Sequence, residues 1–295
     1  MFSWILLLLI GLAVGSFLNV VTLRYTPENS VFSLRNIGGR SRCPHCYNTL
    51  RWFELVPIFS FLIQKGRCRN CLKAITPQYV VVELLSALIF ILVPYHFELF
   101  KNASQAQILG ISPWGFYLEA MIFILAFMAL MVIGAIDHKW RIIPNELNIM
   151  IAVLGVFLIV VSFYFETVFG VKSGMGMYSP LFNWHENILV NRLVGVFAGA
   201  LITGLPVFIS GGKVMGLGDF KLAIALGLLF GWPSVIFIFF SAFITGSIFG
   251  LGLIFAGQKK FKSLMPFAPF ISSSALIIFL WGETLLKAYF NLFGI

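Results

Sequence analysis

Residues 1–23, MFSWILLLLIGLAVGSFLNVVTL, contain no charged side chain. A helix needs about 20 apolar residues to cross a bilayer, so this stretch is read as a first transmembrane helix. No basic segment precedes it, as a cleavable signal peptide requires. The rest of the chain extends the reading. Of 295 residues, 60% are hydrophobic and 11% charged, and the mean hydropathy is +0.97. Soluble domains carry roughly 25% charge. A soluble globular fold, a disordered chain and a secreted disulfide scaffold are therefore excluded.

Outward from residue 23 the composition changes abruptly. Between Arg24 and Gln78 nine basic residues face only Glu28 and Glu54, a net of +7 out of +9 for the whole chain. Apolar runs then return at about 79–97, 116–136, 148–165, 188–210, 219–231, 234–256 and 267–290, separated by Pro, Gly or charge. The expected fold is an all-α polytopic membrane protein of about eight transmembrane helices. Helix 1 covers 1–23, a soluble insert 24–78, and a seven-helix core 79–295.

Cytoplasmic loops retain Lys and Arg. Placing the insert inside also places the loops holding Lys139 and Arg141, Lys213 and Lys221, and Lys259, Lys260 and Lys262 there, together sixteen of the twenty basic residues. The opposite loops offer Lys101 and Lys172. In a membrane protein the positive charge reports topology, so lipid, and not nucleic acid, is the expected surroundings.

All four cysteines lie in the insert, as Cys43-Pro-His-Cys46 and Cys68-Arg-Asn-Cys71, with 21 residues between the pairs. Two such knuckles let four thiolates converge on one Zn²⁺. Four protein ligands leave no open position for water, so the expected zinc is structural. Two disulfides or four free thiols are the alternatives, and a reducing cytoplasm argues against the disulfides. His45 is read as a bystander within its knuckle.

The chain has only two aspartates, Asp137 and Asp219, and the topology puts both at cytoplasmic ends of spans. Acidic residues at such boundaries usually face the bundle interior and serve function. Two that meet form a dyad, since like charges close together cannot both ionise: one holds a proton as general acid while the other activates water. Gly216 and Gly218, just before Asp219, are expected to admit a substrate backbone and to allow positive φ. The plain alternative for Asp219 is a helix cap. Lys221 is either a partner of the pair or a snorkelling anchor. Glu83, a charge within the second span, is a candidate contact for a substrate amine or methyl donor, or else an interhelical hydrogen-bonding group. A proton-coupled transporter using both aspartates and a zinc-bearing scaffold are the rival readings. No Ser/His/Asp, Cys/His or H-E-x-x-H grouping supports another peptidase mechanism.

Four motifs in order, G-x-x-x-G-S-F-L-N-V-V at 11–21, the two cysteine knuckles flanking LRWFELVPIFSFL, D-x₅-I-P-N at 137–145 and GKVMGLGDFKLA at 212–223, resemble the bacterial type IV prepilin peptidases, or leader peptidases with N-methyltransferase activity. The resemblance implies a GxGD-type aspartic endopeptidase of the bacterial inner membrane. It implies Asp137 and Asp219 as the catalytic pair, a cytoplasmic-face site supported by Gly216, Gly218 and Lys221, and prepilins or pseudopilins as substrates. It also implies methylation of the new N-terminus from S-adenosylmethionine, for which no glycine-rich nucleotide loop appears in the sequence.

Overall fold

The computed structural model describes residues 2–103, 114–169, 187–212, 215–258 and 265–292. Lys172, Lys213, His185, Lys259, Lys260 and Lys262 lie outside the described residues. The chain forms two compact units, Met1–Tyr95 and His96–Ile295.

In the first unit, α1 (Phe2–Arg24) is the uncharged opening stretch. The insert follows with only short elements: α2 (Leu34–Ile37), a 3₁₀ turn at Trp52–Leu55 and α3 (Phe59–Ile63). Then α4 (Gln78–Ala103) starts just after Pro77, where a missing amide costs nothing. The glycines of the first motif set the α1–α4 contact. A Cβ on Gly11 would sit 2.8 Å from Ala87 Cα, and one on Gly15 2.7 Å from Ser86 Cβ. The Ser86 hydroxyl donates to the Gly11 carbonyl at 2.6 Å across the same seam. Small residues spaced by four that let backbones approach are the usual glue between membrane helices.

The second unit adds α5 (Trp114–Trp140), α6 (Asn145–Phe169), α7 (Ile188–Ser210), α8 (Leu217–Phe230), α9 (Ser234–Phe255) and α10 (Ala268–Leu292). Its interior is aromatic: Phe123 stacks on Phe279 at 4.8 Å, and Phe127 lies 6.1 Å from Phe230. Ser272 of α10 donates to the Leu130 carbonyl of α5 at 2.8 Å. Among the described residues no extended strand forms, only isolated bridges in the insert.

Among the described residues all eight apolar runs are helical, and seven of those helices are long and apolar enough to cross a membrane. The eighth, α8, has 14 residues, about 21 Å at the usual rise and short of the roughly 30 Å hydrocarbon core. It is held by close packing on α7. A Cβ on Gly227 would lie 2.4 Å from the Gly195 carbonyl oxygen, and one on Gly199 2.6 Å from that of Ala223. Helix α7 closes on left-handed Gly211 (φ 59), whose successor Gly212 donates to the Val207 carbonyl at 2.9 Å.

The C-terminal end of α8 needs internal hydrogen-bond donors, since no water reaches carbonyls in the hydrocarbon region. Fully buried Arg192 of α7 donates to the Leu229 carbonyl, and Asn191 Nδ2 to that of Trp232 at 2.7 Å. Buried Glu119 of α5 acts electrostatically on Arg192 and accepts from Ser162 of α6 at 3.2 Å. Arg192 and Glu119 are charges within apolar runs, the same signal in the sequence that singles out Glu83.

Candidate active site and metal centre

The two aspartates come together at one end of the second unit. Asp137 lies in the last turn of α5, which turns through left-handed Arg141 (φ 56) into Pro144 and the start of α6. Asp137 is buried, and its Oδ2 accepts the Ala268 amide at 3.0 Å, with the Phe267 amide a second backbone donor. The segment 265–269 is thus pinned to it. Asp219 occupies the third position of α8 and accepts the Gly216 amide at 3.3 Å, so it does cap its helix.

Asp219 lies within electrostatic reach of Asp137. Two contacts bring the segments together. Lys221 Nζ donates to Asn145 Oδ1 at 2.9 Å, and a Cβ on Gly218 would sit 3.0 Å from Ile143 Cβ. Gly218 therefore serves close approach between the two aspartate-bearing segments. Neither it nor Gly216 adopts the expected positive φ: Gly216 is extended (φ −80, ψ 152) and Gly218 is helical. Among the described residues, a Cβ on Gly216 would meet Asp219 Oδ2 at 3.5 Å and the Gly218 amide nitrogen at 3.9 Å, both ordinary contacts. Asn145, the last residue of the D-x₅-I-P-N motif, holds the Lys221 ammonium.

Glu83 lies in the first unit, outside the unit that holds the aspartates. It is buried; its Oε2 accepts the Ile58 amide at 2.8 Å, and Ser16 is a second partner.

The cysteines form a separate cluster in the insert. Cys43, Cys46, Cys68 and Cys71 place their sulfurs within 4.8 Å of one another, and the nearest pairs, Cys43 with Cys71 and Cys46 with Cys68, stand 3.9 and 4.0 Å apart. Tetrahedral zinc with bonds of about 2.3 Å needs sulfur spacings of about 3.8 Å, so the residues fit such an ion. The two knuckles repeat one local fold. The Cys43 amide donates to the Asn48 carbonyl at 3.0 Å and the Cys68 amide to that of Lys73 at 2.9 Å, while Tyr47 (φ 58) and Leu72 (φ 57) are left-handed at matching positions. The amides of Cys71 and Asn70 lower the Cys68 thiol to about 7. Cys46 goes the other way: despite the Asn48 amide, desolvation and the three neighbouring thiols push it up to about 11. Four thiolates this close need a cation between them.

Fold and sites define a helical membrane protein that brings two acidic side chains to one end of its core and carries an insert whose four cysteine sulfurs are spaced to fit a metal ion. Residues 9–97 match the family described as bacterial peptidase A24 N-terminal domain, and residues 121–251 the type IV leader peptidase family. Similar proteins include prepilin leader peptidase/N-methyltransferases of Bacillus subtilis (28% identity over 97% of this chain and 98% of the relative), Dichelobacter nodosus (30%, 93% and 90%) and Pseudomonas aeruginosa (25%, 97% and 93%). No solved structure matches. The chain belongs to the type IV leader peptidase family.

Proposed function

We propose that the chain removes the leader peptides of type IV prepilins or pseudopilins at the cytoplasmic membrane face, and methylates the new N-terminal amine. The observation that carries the peptidase reading is that the only two aspartates, 82 residues apart in sequence, lie on segments that meet at one end of the core, where Gly218 packs against Ile143 and Lys221 holds Asn145. One carboxyl holds a proton and donates it to the substrate, while the other takes a proton from water as the water attacks the peptide carbonyl. The substrate segment is extended there, because a helical peptide bond is hydrogen-bonded and hidden, and the uncrowded Gly216 leaves room beside Asp219. The cytoplasmic placement is supported by the basic insert and loops on the aspartate side.

The four cysteines would hold a structural Zn²⁺, which neutralises clustered thiolates and fixes the insert. S-adenosylmethionine would supply the methyl group; this activity rests on the relatives' names.

The test is Asp137→Asn and Asp219→Asn in full-length protein reconstituted with an intact prepilin. Each is expected to cut leader release by roughly a thousandfold or more, with metal content and folding unchanged. Near wild-type release by either would overturn the dyad and leave Asp219 as a cap.

A further inference from the structure

The segment between the two cysteine knuckles is tied down among the helix ends. Both ends of the insert are covalently joined to spans, at Arg24 and Gln78. Arg24 folds it back by donating to the Gly38 carbonyl at 2.5 Å and the Arg40 carbonyl at 3.1 Å. The Pro57–Phe59 turn goes deeper. Ile58 stands at φ 61, ψ −53, the Phe59 amide donates to the Pro57 carbonyl at 2.6 Å, and Glu83 holds the Ile58 amide. Glu83 lies five residues inside α4, about 7.5 Å from its start, and its second partner Ser16 lies eight residues before the end of α1, about 12 Å. The turn therefore sits alongside α1 and α4, one to two helical turns in from their ends.

At this depth the segment shows an apolar face. Helix α3 exposes Phe59 (61%), Leu62 (63%) and Ile63 (75%), spaced i, i+3 and i+4 on one side, and Trp52 of the preceding turn is 79% exposed. Exposed Arg51, Lys65, Arg67 and Arg69 flank it. An amphipathic surface of aromatic and aliphatic side chains rimmed by basic ones, held at the interface by both its ends, has the chemistry of a lipid contact.

We infer that residues 52–63 form an interfacial membrane anchor, in which Trp52, Phe59, Leu62 and Ile63 enter the acyl boundary while the flanking cations bind anionic headgroups. The four-cysteine cluster then acts as a clasp, joining the two chain segments that enter and leave the bilayer surface. The Glu83–Ile58 hydrogen bond sets the depth. This reading is independent of the peptidase assignment, since it depends on the bilayer alone.

The test uses the wild-type full chain in nanodiscs containing a phospholipid with a diazirine on its acyl chain. One set is made of phosphatidylcholine and another includes phosphatidylglycerol; adducts are mapped by peptide mass spectrometry. Acyl adducts are expected on peptide 52–63 as well as on lipid-facing α1, rising several-fold on 52–63 with phosphatidylglycerol. Leu62→Glu with Ile63→Glu is expected to abolish them on 52–63 while metal content is kept; if that variant loses its metal, the wild-type map alone decides. Adducts on α1 with none on 52–63 would overturn the anchor, whether water or another protein covers the face. Adducts indifferent to phosphatidylglycerol would overturn the headgroup half of the proposal.

Discussion

The ammonium of Lys221 donates to the side-chain oxygen of Asn145 at 2.9 Å, joining the first turn of the short helix α8 to the first turn of α6. Asp219 is two residues from one end of this link, and the turn that follows the Asp137 end of α5 leads into the other. The pair is exposed, so its contribution to stability is small. Its effect is positional. Lys221→Met and Asn145→Ala are each expected to lower kcat about tenfold with little change in KM, and the double variant no further, as two halves of one contact behave. A lysine that instead held a substrate carboxylate would raise KM on replacement, and Asn145→Ala would not imitate it.

Gly218 lies against Ile143 with little room for a side chain. An added methyl would stand 3.0 Å from Ile143 Cβ, an atom fixed to the backbone. Gly218→Ala is therefore expected to push α8 from the α5–α6 turn by a few tenths of an ångström and to reduce cleavage about tenfold, less than the roughly hundredfold of a misplacement near 1 Å. Ile143→Ala in the same chain should recover part of the rate. Gly216→Ala meets ordinary contacts of 3.5 Å and longer among the described residues, so it should fold normally and raise KM if the substrate backbone passes there. Steady-state kinetics on a prepilin peptide separates the two glycines.

Arg192 stabilises the far end of α8. Arg192→Leu removes the donor to the Leu229 carbonyl and the counter-charge of Glu119, both buried. Loss of one member of a buried charged pair costs about 3–5 kcal/mol, to be seen as a lower unfolding midpoint in detergent. Pairing Arg192→Leu with Glu119→Gln should recover part of the loss, because no lone charge then stays inside. Ser162→Ala, which deletes one hydrogen bond to Glu119, should cost about 1 kcal/mol.

Purified protein is expected to contain one zinc per chain. Any single cysteine-to-serine change, or a strong chelator, should open the insert between Arg40 and Lys73 to protease while the core spans resist cleavage, because the thiolate cluster is unfavourable without its cation. Metal retention should fall as pH is lowered, since each protonated thiol is lost as a ligand. Metal analysis and limited proteolysis across a pH series check both.

Much of this molecule is set by local composition. Apolar runs the length of a bilayer must be helical, because only a helix satisfies its own amides in lipid, so the eight runs could be read one by one. The four cysteines could be read as one site because C-x-x-C spacing is short-range geometry repeated twice. The aspartates were legible as candidates because a rare charge at a span end needs a reason. Tertiary structure alone decided the rest, since it depends on residues far apart in sequence meeting across helices. That Asp137 and Asp219 share one end of the core depends on α8 seating against α6 and α7, through Gly227 on Gly195 and Gly218 on Ile143. That α8 ends within the bundle depends on Arg192 reaching the Leu229 carbonyl, 37 residues away. The same holds for Glu83: its place in the sequence announced a buried charge, but only the folded insert, bringing the Ile58 amide to its carboxylate, showed the contact that charge makes.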